Sequence, residues 1–226
     1  MFNLIKKFIK IPEAKKIIVM GKLAFLKNLL MFSFKIIVGV AFESWFIIAI
    51  ALYGLCIGFA KNNCAHGLKK NKDSTKDIHS YVIGGIILSL SSLIYIVYSY
   101  FQIYNPSNTK YTMIIGIIFA TFAFASITVS ILGLIKARGK TMLIKEYKLT
   151  NFATALNSIV LAQIAILSFV QVNVNVALYN GILGIICGVI ILAIGIYLII
   201  DGYIKKLRYE RIIKNYPAIV KYLNND

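Results

Sequence analysis

Long apolar runs alternate with short basic stretches along the chain, and this alternation predicts where helices cross a membrane. A helix crosses the hydrocarbon core with about 20 apolar residues, and four runs meet that length: 81–104, 111–135, 152–170 and 181–203. The region 28–60 is also apolar, but it is too long for one upright span and short for two. The pattern predicts an all-α, polytopic transmembrane helix bundle with four long spans and a less regular beginning.

Positive charge indicates how the spans are oriented. All but two of the 25 Lys and Arg residues lie in four segments, within 6–27, 61–76, 136–148 and 205–221. Lys and Arg in short connections stay on the cytoplasmic side of polytopic proteins. If all four segments are cytoplasmic, an even number of crossings separates each segment from the next.

The opening region is therefore predicted to form a short helical hairpin. Its arms are 23–42 and 46–60, with a turn near residues 43–45. The whole bundle then makes six crossings with both chain ends in the cytoplasm. Lys35 near the middle of the first arm costs roughly 2.5–3.5 kcal/mol to insert, while each Leu, Ile, Phe or Val returns about 0.3–0.6 kcal/mol. A first arm that re-enters or lies on the membrane surface is the alternative.

Composition divides the chain into three parts and indicates its surroundings. Residues 1–22 are a basic amphipathic N-terminal segment, 23–203 the transmembrane bundle and 204–226 a basic cytoplasmic tail. Of the 226 residues 59% are hydrophobic, more than a soluble domain of this size can bury. The net charge of +17 would indicate nucleic-acid binding in a soluble protein. Beside apolar spans it predicts contact with anionic lipid instead, and we expect no nucleic-acid partner.

Small residues recur at helical spacing within the spans. Because lipid is as apolar as leucine, such residues let helices approach closely in a membrane. We interpret them as helix-packing faces, with a solute path as the alternative. The residues on the last span are Gly181, Gly184, Gly188, Gly195 and Gly202, and those on 81–104 are Gly85, Ser89 and Ser92.

Four polar residues within the apolar runs are the candidates for intramembrane polar or solute contacts: Lys35, Asn157, Gln163 and Asp201. Ionisable residues at membrane depth are rare and are often functional. Asn157 and Gln163 each need a hydrogen-bond partner there. Asp201 lies near the inner end of the last span, where Lys27 is a candidate ion-pair partner.

The sequence carries no strong motif for catalysis or metal binding. Cys64, His66 and His79 share a basic connection, but no second ligand pair completes a zinc set. The chain contains no G-x-S-x-G or H-E-x-x-H motif and no paired acids at useful spacing. We predict no catalytic residues, no cofactor or metal, and no enzymatic activity.

Three stretches carry a resemblance to known proteins: Ser44-Trp45-Phe46 at the hairpin turn, Lys136-Ala137-Arg138 at the end of one span, and ATALNSIVLAQIAILSF over 153–169. The chain resembles a group of small uncharacterised polytopic proteins of Gram-positive bacteria, which implies a bacterial plasma membrane and adds no mechanism. We predict an accessory membrane subunit that acts through helix–helix or lipid contacts, with a membrane-protein partner or a second copy as candidates. The alternatives are a small-solute transporter, or the substrate-binding membrane subunit of one, and then a membrane enzyme.

Overall fold

Six helices make up the part of the chain that the computed structural model describes, which is residues 12–41, 45–69, 74–104, 113–169 and 175–215. They are α1 Glu13–Ala41, α2 Trp45–Lys69, α3 Ser74–Tyr104, α4 Met113–Lys136, α5 Met142–Phe169 and α6 Val176–Asn215. No strand occurs in these ranges. The predicted all-α class is therefore confirmed for the described residues.

Four of the helices are long and apolar enough to span a membrane. The qualifying segments are Asp77–Tyr104 of α3, Gly116–Lys136 of α4, Met142–Leu167 of α5 and Val176–Arg211 of α6. Each coincides with one of the four long runs identified from the sequence. The prediction of four helices long and apolar enough to span a membrane is confirmed.

The helices extend further than the apolar runs that predicted them. α2 continues to Lys69 and α3 begins at Ser74, so the basic connection 61–80 is mostly helical. α1 begins directly after Pro12, and the second half of the predicted segment 1–22 is its first turns. These polar extensions stay helical because their inward faces pack: Ile17, Cys64 and Leu68 are buried.

The antiparallel pair of α3 and α6 has the most extensive helix–helix contact among the described residues. A Cβ placed on Gly195 would lie 2.8 Å from the amide nitrogen of Ser89 and 3.0 Å from the carbonyl oxygen of Gly85. Towards one end Gly181 packs on the backbone of Ser99, and towards the other Gly202 packs on Tyr81. The two backbones approach each other directly at Gly181 and around Gly195, which only glycine and small residues permit.

Two further antiparallel pairs pack in the same bundle. In the pair of α1 and α2, Gly21 packs on the carbonyl oxygen of Lys61 and Gly58 packs on Asn28. In the pair of α4 and α5, the Ser130 hydroxyl donates to the carbonyl oxygen of Asn151 at 3.4 Å. Residues 137–140 form the turn between α4 and α5, and Gly139 there adopts a φ of 76°, which glycine accommodates without strain.

Polar contacts gather at one end of the bundle, which we call the basic end. Glu13 at the start of α1 pairs with Lys148 of α5 at 3.2 Å. The end of α2 meets α5 where the Cys64 thiol reaches Leu143. The start of α3 meets α6 where Tyr81 reaches Asp201. The described parts of the four basic segments therefore lie together.

Candidate functional site

A fully buried carboxyl group, that of Glu146, lies inside the basic end of the bundle. Glu146 has 0% exposure in α5, where it belongs to a buried row with Leu143, Thr150 and Ala153. These residues are three to four positions apart, so they share one helix face. That face is turned towards α2 and α3, and it carries Glu146 into the interior.

Glycine on α3 makes room for this carboxyl group. A Cβ placed on Gly84 would collide with Oε1 of Glu146, so the carboxyl group rests directly against the α3 backbone. Neither oxygen of the carboxyl has a hydrogen-bond partner among the residues that the structure describes. A buried polar group without a partner is unusual in native proteins and indicates strain, chemistry or a missing ligand.

Hydrogen bonds from α2 hold α5 and α3 around the carboxyl group. The Cys64 thiol donates to the carbonyl oxygen of Leu143 at 2.8 Å, one turn before Glu146. Two turns further along α5, the Tyr53 hydroxyl donates to the carbonyl oxygen of Ala153 at 3.1 Å. On the α3 side, the Asn63 amide donates to the carbonyl oxygen of Ser80 at 2.6 Å. Because all three are side chain-to-backbone bonds, they fix helix positions without neutralising Glu146.

Two α2 residues beyond the predicted arm 46–60 have altered acidities. Burial raises the pKa of the Cys64 thiol well above its usual value, so this thiol is neutral and unreactive where it lies. Burial, followed by the like charge of Lys27, lowers the pKa of Lys61 to about 8. Lys61 is only 8% exposed.

A second acid, Asp201 of α6, lies at the same end in a different environment. Its carboxylate accepts a hydrogen bond from the Tyr81 hydroxyl at 2.8 Å and forms an ion pair with Lys205, one turn along α6. The Lys205 ammonium also lies 5.2 Å from the centre of the Tyr81 ring, within cation–π range. The proposed pairing of Asp201 with Lys27 is therefore replaced by Tyr81 and Lys205. Asp201 is satisfied, whereas Glu146 is not.

Three of the four predicted polar residues, Asn157, Gln163 and Asp201, have described side chains, and these are not brought into one site. The side chain of Lys35 lies outside the described residues. Gln163 donates to the Asn180 side-chain oxygen at 3.4 Å, a long bond between α5 and α6. Asn157 is 9% exposed and its Oδ1 has no hydrogen-bond partner among the described residues. Asn157 shares the buried face of Glu146, about 16 Å further along the helix.

The predicted small-residue faces lie between α3 and α6. Beyond the contacts of Gly181, Gly195 and Gly202, Gly184 packs on Ser99 and Gly188 packs on Ile96. On α3, a Cβ on Gly85 would lie 2.9 Å from the carbonyl oxygen of Gly195, and Ser89 meets Gly195. Ser92 is buried and donates within its own helix to the carbonyl oxygen of Ser89 at 2.7 Å.

The structure separates the three residues considered for a metal. Cys64 is directed into the bundle towards Leu143. His66 lines an open groove of about 450 Å³ between α2 and α3, and His79 lines another of about 560 Å³ between α3 and α6. Within the described ranges, no three His, Cys, Asp or Glu side chains come close enough to hold a metal ion.

Sequence reasoning missed Glu146 because it lies among Lys140, Lys145 and Lys148, a run typical of a solvated connection. The available signal was its helical phase: Glu146 is spaced with Leu143, Thr150 and Ala153, as a core position would be. Comparison of the chain with protein-family models, with curated proteins and with solved structures finds no match.

Proposed function

We propose that the chain is a multi-pass protein of a bacterial plasma membrane that acts as a non-catalytic accessory subunit through its outer helix faces. The observation that carries this proposal is the packing of α4. Within the described residues its main contact is α5, and most of its remaining surface is exposed and apolar. Phe122 and Phe124 are both 70% exposed, on nearly opposite sides of the helix.

The interior supports a contact role over a solute path. The small residues that could line a path are occupied by the contact between α3 and α6. Gln163, a candidate solute contact, bonds to Asn180. The outer surface of the bundle is therefore the candidate for recognition. A helix that is exposed on several faces can contact both lipid and a further membrane helix. A different membrane protein or a second copy of the chain would both provide such a helix.

Six crossings with both ends in the cytoplasm form part of this proposal. The gathering of the described basic segments at one end supports it, because each antiparallel pair returns the chain to the same side. The pairing of α1 with α2 supports a hairpin, as Gly21 meets Lys61 and Gly58 meets Asn28. The predicted turn at 43–45 lies largely outside the described residues, which resume at Trp45.

Site-specific photocrosslinking in native membranes tests the contact role. A photoreactive phenylalanine analogue replaces Phe122 or Phe124 of α4, and a matched variant replaces Phe101 of α3, which is 57% exposed. We expect a defined protein adduct from an α4 position and only lipid adducts from Phe101. The adduct mass distinguishes a second copy from another protein. Lipid adducts alone at both α4 positions would contradict an accessory role that uses α4.

Small-solute transport is a second candidate, favoured by the unpartnered polar atoms of Glu146 and Asn157 on one face of α5. Asn157→Cys and Gln163→Cys, each in a chain without the three native cysteines, separate the two functions. Water-soluble maleimide labelling at both positions would indicate a solute cavity. Protection at both would favour dry packing and the accessory role.

A further inference from the structure

Glu146 differs from the other described acids because both of its carboxyl oxygens lack a partner within the part of the chain that the structure describes. Glu13 lies 3.2 Å from Lys148, Glu210 lies 3.9 Å from Lys206, and Asp201 pairs with Lys205. Asp77 also has an electrostatic or hydrogen-bonding contact. Glu146 is the fully buried one of these acids, and both of its oxygens lack a partner in the described chain.

The groups that face Glu146 supply no strong stabilisation for a negative charge. Cys64 of α2 and Tyr81 of α3 lie within electrostatic range of Glu146. Asp77 of α3 interacts with Cys64, and Asp201 and Lys205 of α6 adjoin Tyr81. Cys64 donates to Leu143 and Tyr81 donates to Asp201, so neither offers its hydrogen to Glu146. Lys205 is paired with Asp201, Lys148 with Glu13, and Lys145 lies within electrostatic range of Asp201.

An ionised carboxylate without a partner is not stable in this buried position. Removing an ionised carboxylate from water without a partner costs several kcal/mol, which is comparable with a whole domain's stability, so the group binds a proton or a cation. The contact with Gly84 leaves the carboxyl group against backbone on the α3 side. A proton needs no additional space, and no cluster of three ligating side chains exists in the described ranges.

We propose that Glu146 is a proton-binding site that links protonation to the closure of α5 against α2 and α3. With its proton bound, the carboxyl group is neutral and remains against Gly84. When the proton leaves to water, the carboxylate must be hydrated, and hydration requires α5 to move away from α3. Leu143 moves with the same turn of α5, which exposes the Cys64 thiol that is bonded to it.

The pH dependence follows from linkage. The closed bundle holds one more proton than the open one, so closure is complete at low pH and is lost as pH rises. While the closed form predominates, release of one proton makes the open fraction rise about tenfold per pH unit. This inference goes beyond the accessory role and holds equally if the chain transports a solute.

Labelling of Cys64 measures the open fraction. In the full chain in lipid nanodiscs, Cys56 and Cys187 are replaced by alanine, and the rate with a water-soluble maleimide is followed from mildly acidic to mildly alkaline pH. Thiol ionisation itself depends on pH, so each rate is divided by that of a reference. The reference is His66→Cys in a cysteine-free chain, because His66 is exposed two residues away on the same helix.

We expect the normalised rate to rise about tenfold per pH unit in the parent chain and to stay flat in Glu146→Gln, which keeps the shape of the neutral acid. Glu13→Gln, a paired acid at the same end, is the matched control and should keep the rise. A flat parent profile, or an equal rise in Glu146→Gln, overturns the proposal. Protection of Cys64 that follows sodium concentration at fixed pH also overturns it, since the site would then bind a cation.

Infrared spectroscopy gives a second measurement that does not depend on folding of the variant. A buried protonated carboxyl group has a C=O stretching band distinct from that of hydrated carboxylates. We expect this band in the parent chain at neutral pH and expect it to vanish at the pH where the normalised Cys64 rate stops rising, because the open form then predominates. A parent chain without the band at neutral pH contradicts the proposal directly.

Discussion

The contact between α3 and α6 and the exposed helix α4 show two uses of strongly apolar sequence. The α3 and α6 backbones pack directly against each other where Gly85 and Ser89 meet Gly195. On α4, Ala123 is buried, but neighbouring Phe122 and Phe124 are largely exposed. Both regions are apolar enough to span a membrane. Hydropathy therefore places a helix in lipid, and the arrangement of small residues decides which helix it packs against.

The largest effect is expected from breaking the α3–α6 contact with Gly195→Leu. The new side chain would meet the Ser89 and Gly85 backbones at 2.8 and 3.0 Å, and neither can move aside like a side chain. We expect a loss of about 3 kcal/mol, the upper part of the usual overpacking range, measured by unfolding in mixed detergent. Ile196→Leu at the adjoining exposed position is the control, and an equal loss there would contradict the claimed contact.

Gly84→Ala should have the next largest effect, because it tests a small-residue contact outside the α3–α6 pair. The added methyl group would collide with the Glu146 carboxyl group, which is the end of a flexible side chain and can shift. We expect a loss of about 2 kcal/mol. Gly54→Ala, which has open space around it, should be neutral or slightly stabilising.

A double-mutant cycle shows whether the Gly84→Ala loss acts through Glu146. Combining it with Glu146→Ala should give a coupling energy of at least about 1 kcal/mol, because shortening residue 146 removes the collision. Strictly additive losses would show that Gly84 is needed for another reason.

A smaller effect is expected when one polar bond of the α3–α6 pair is removed. Tyr81→Phe deletes the hydrogen bond to Asp201 but leaves the ion pair with Lys205, so we expect a loss of about 1 kcal/mol. Tyr203→Phe, at a position 60% exposed on α6, should change the unfolding free energy little. Similar losses in both variants would show that the Tyr81 bond adds no net stability.

The smallest effect is expected on the exposed face of α4. Phe122→Ala should change the unfolding free energy of the isolated chain by less than about 0.5 kcal/mol in detergent, because the side chain packs on little of the bundle. Ala123→Leu, one residue further on the buried face, should cost more than about 1 kcal/mol. A large loss from Phe122→Ala would show that α4 is covered within the monomer and would weaken the accessory role.

Much of the fold follows from the sequence because lipid imposes simple rules. The apolar length of each run predicted α3, α4, α5 and α6, and the helix boundary at Trp45 agrees with the proposed turn. The extension of α2 to Lys69 was not predicted, since the basic segment 61–76 was interpreted as a connection. That stretch is helical because its opposite face, with Cys64, is buried.

The candidate site depends on distant pairings that local patterns do not encode. Asp201 was expected near the inner end of its span, but its partner Tyr81 is 120 residues away. The lysines around Glu146 in the sequence suggested a solvated connection, although the spacing of Glu146 with Thr150 and Ala153 matched the buried face. Which helix would cover that face depends on Gly84, and a single glycine in an apolar run does not identify its neighbour.

The α3–α6 contact has a consequence for biosynthesis. α3 is separated from its partner by two intervening helices, and ribosomes deliver the chain from its amino end. The groove around Gly85 and Ser89 therefore lacks its partner until α6 has been translated and inserted. A nascent chain stalled before α6 would present that vacant groove to any passing helix, which makes this stage the most vulnerable to mispairing and to membrane quality-control proteases.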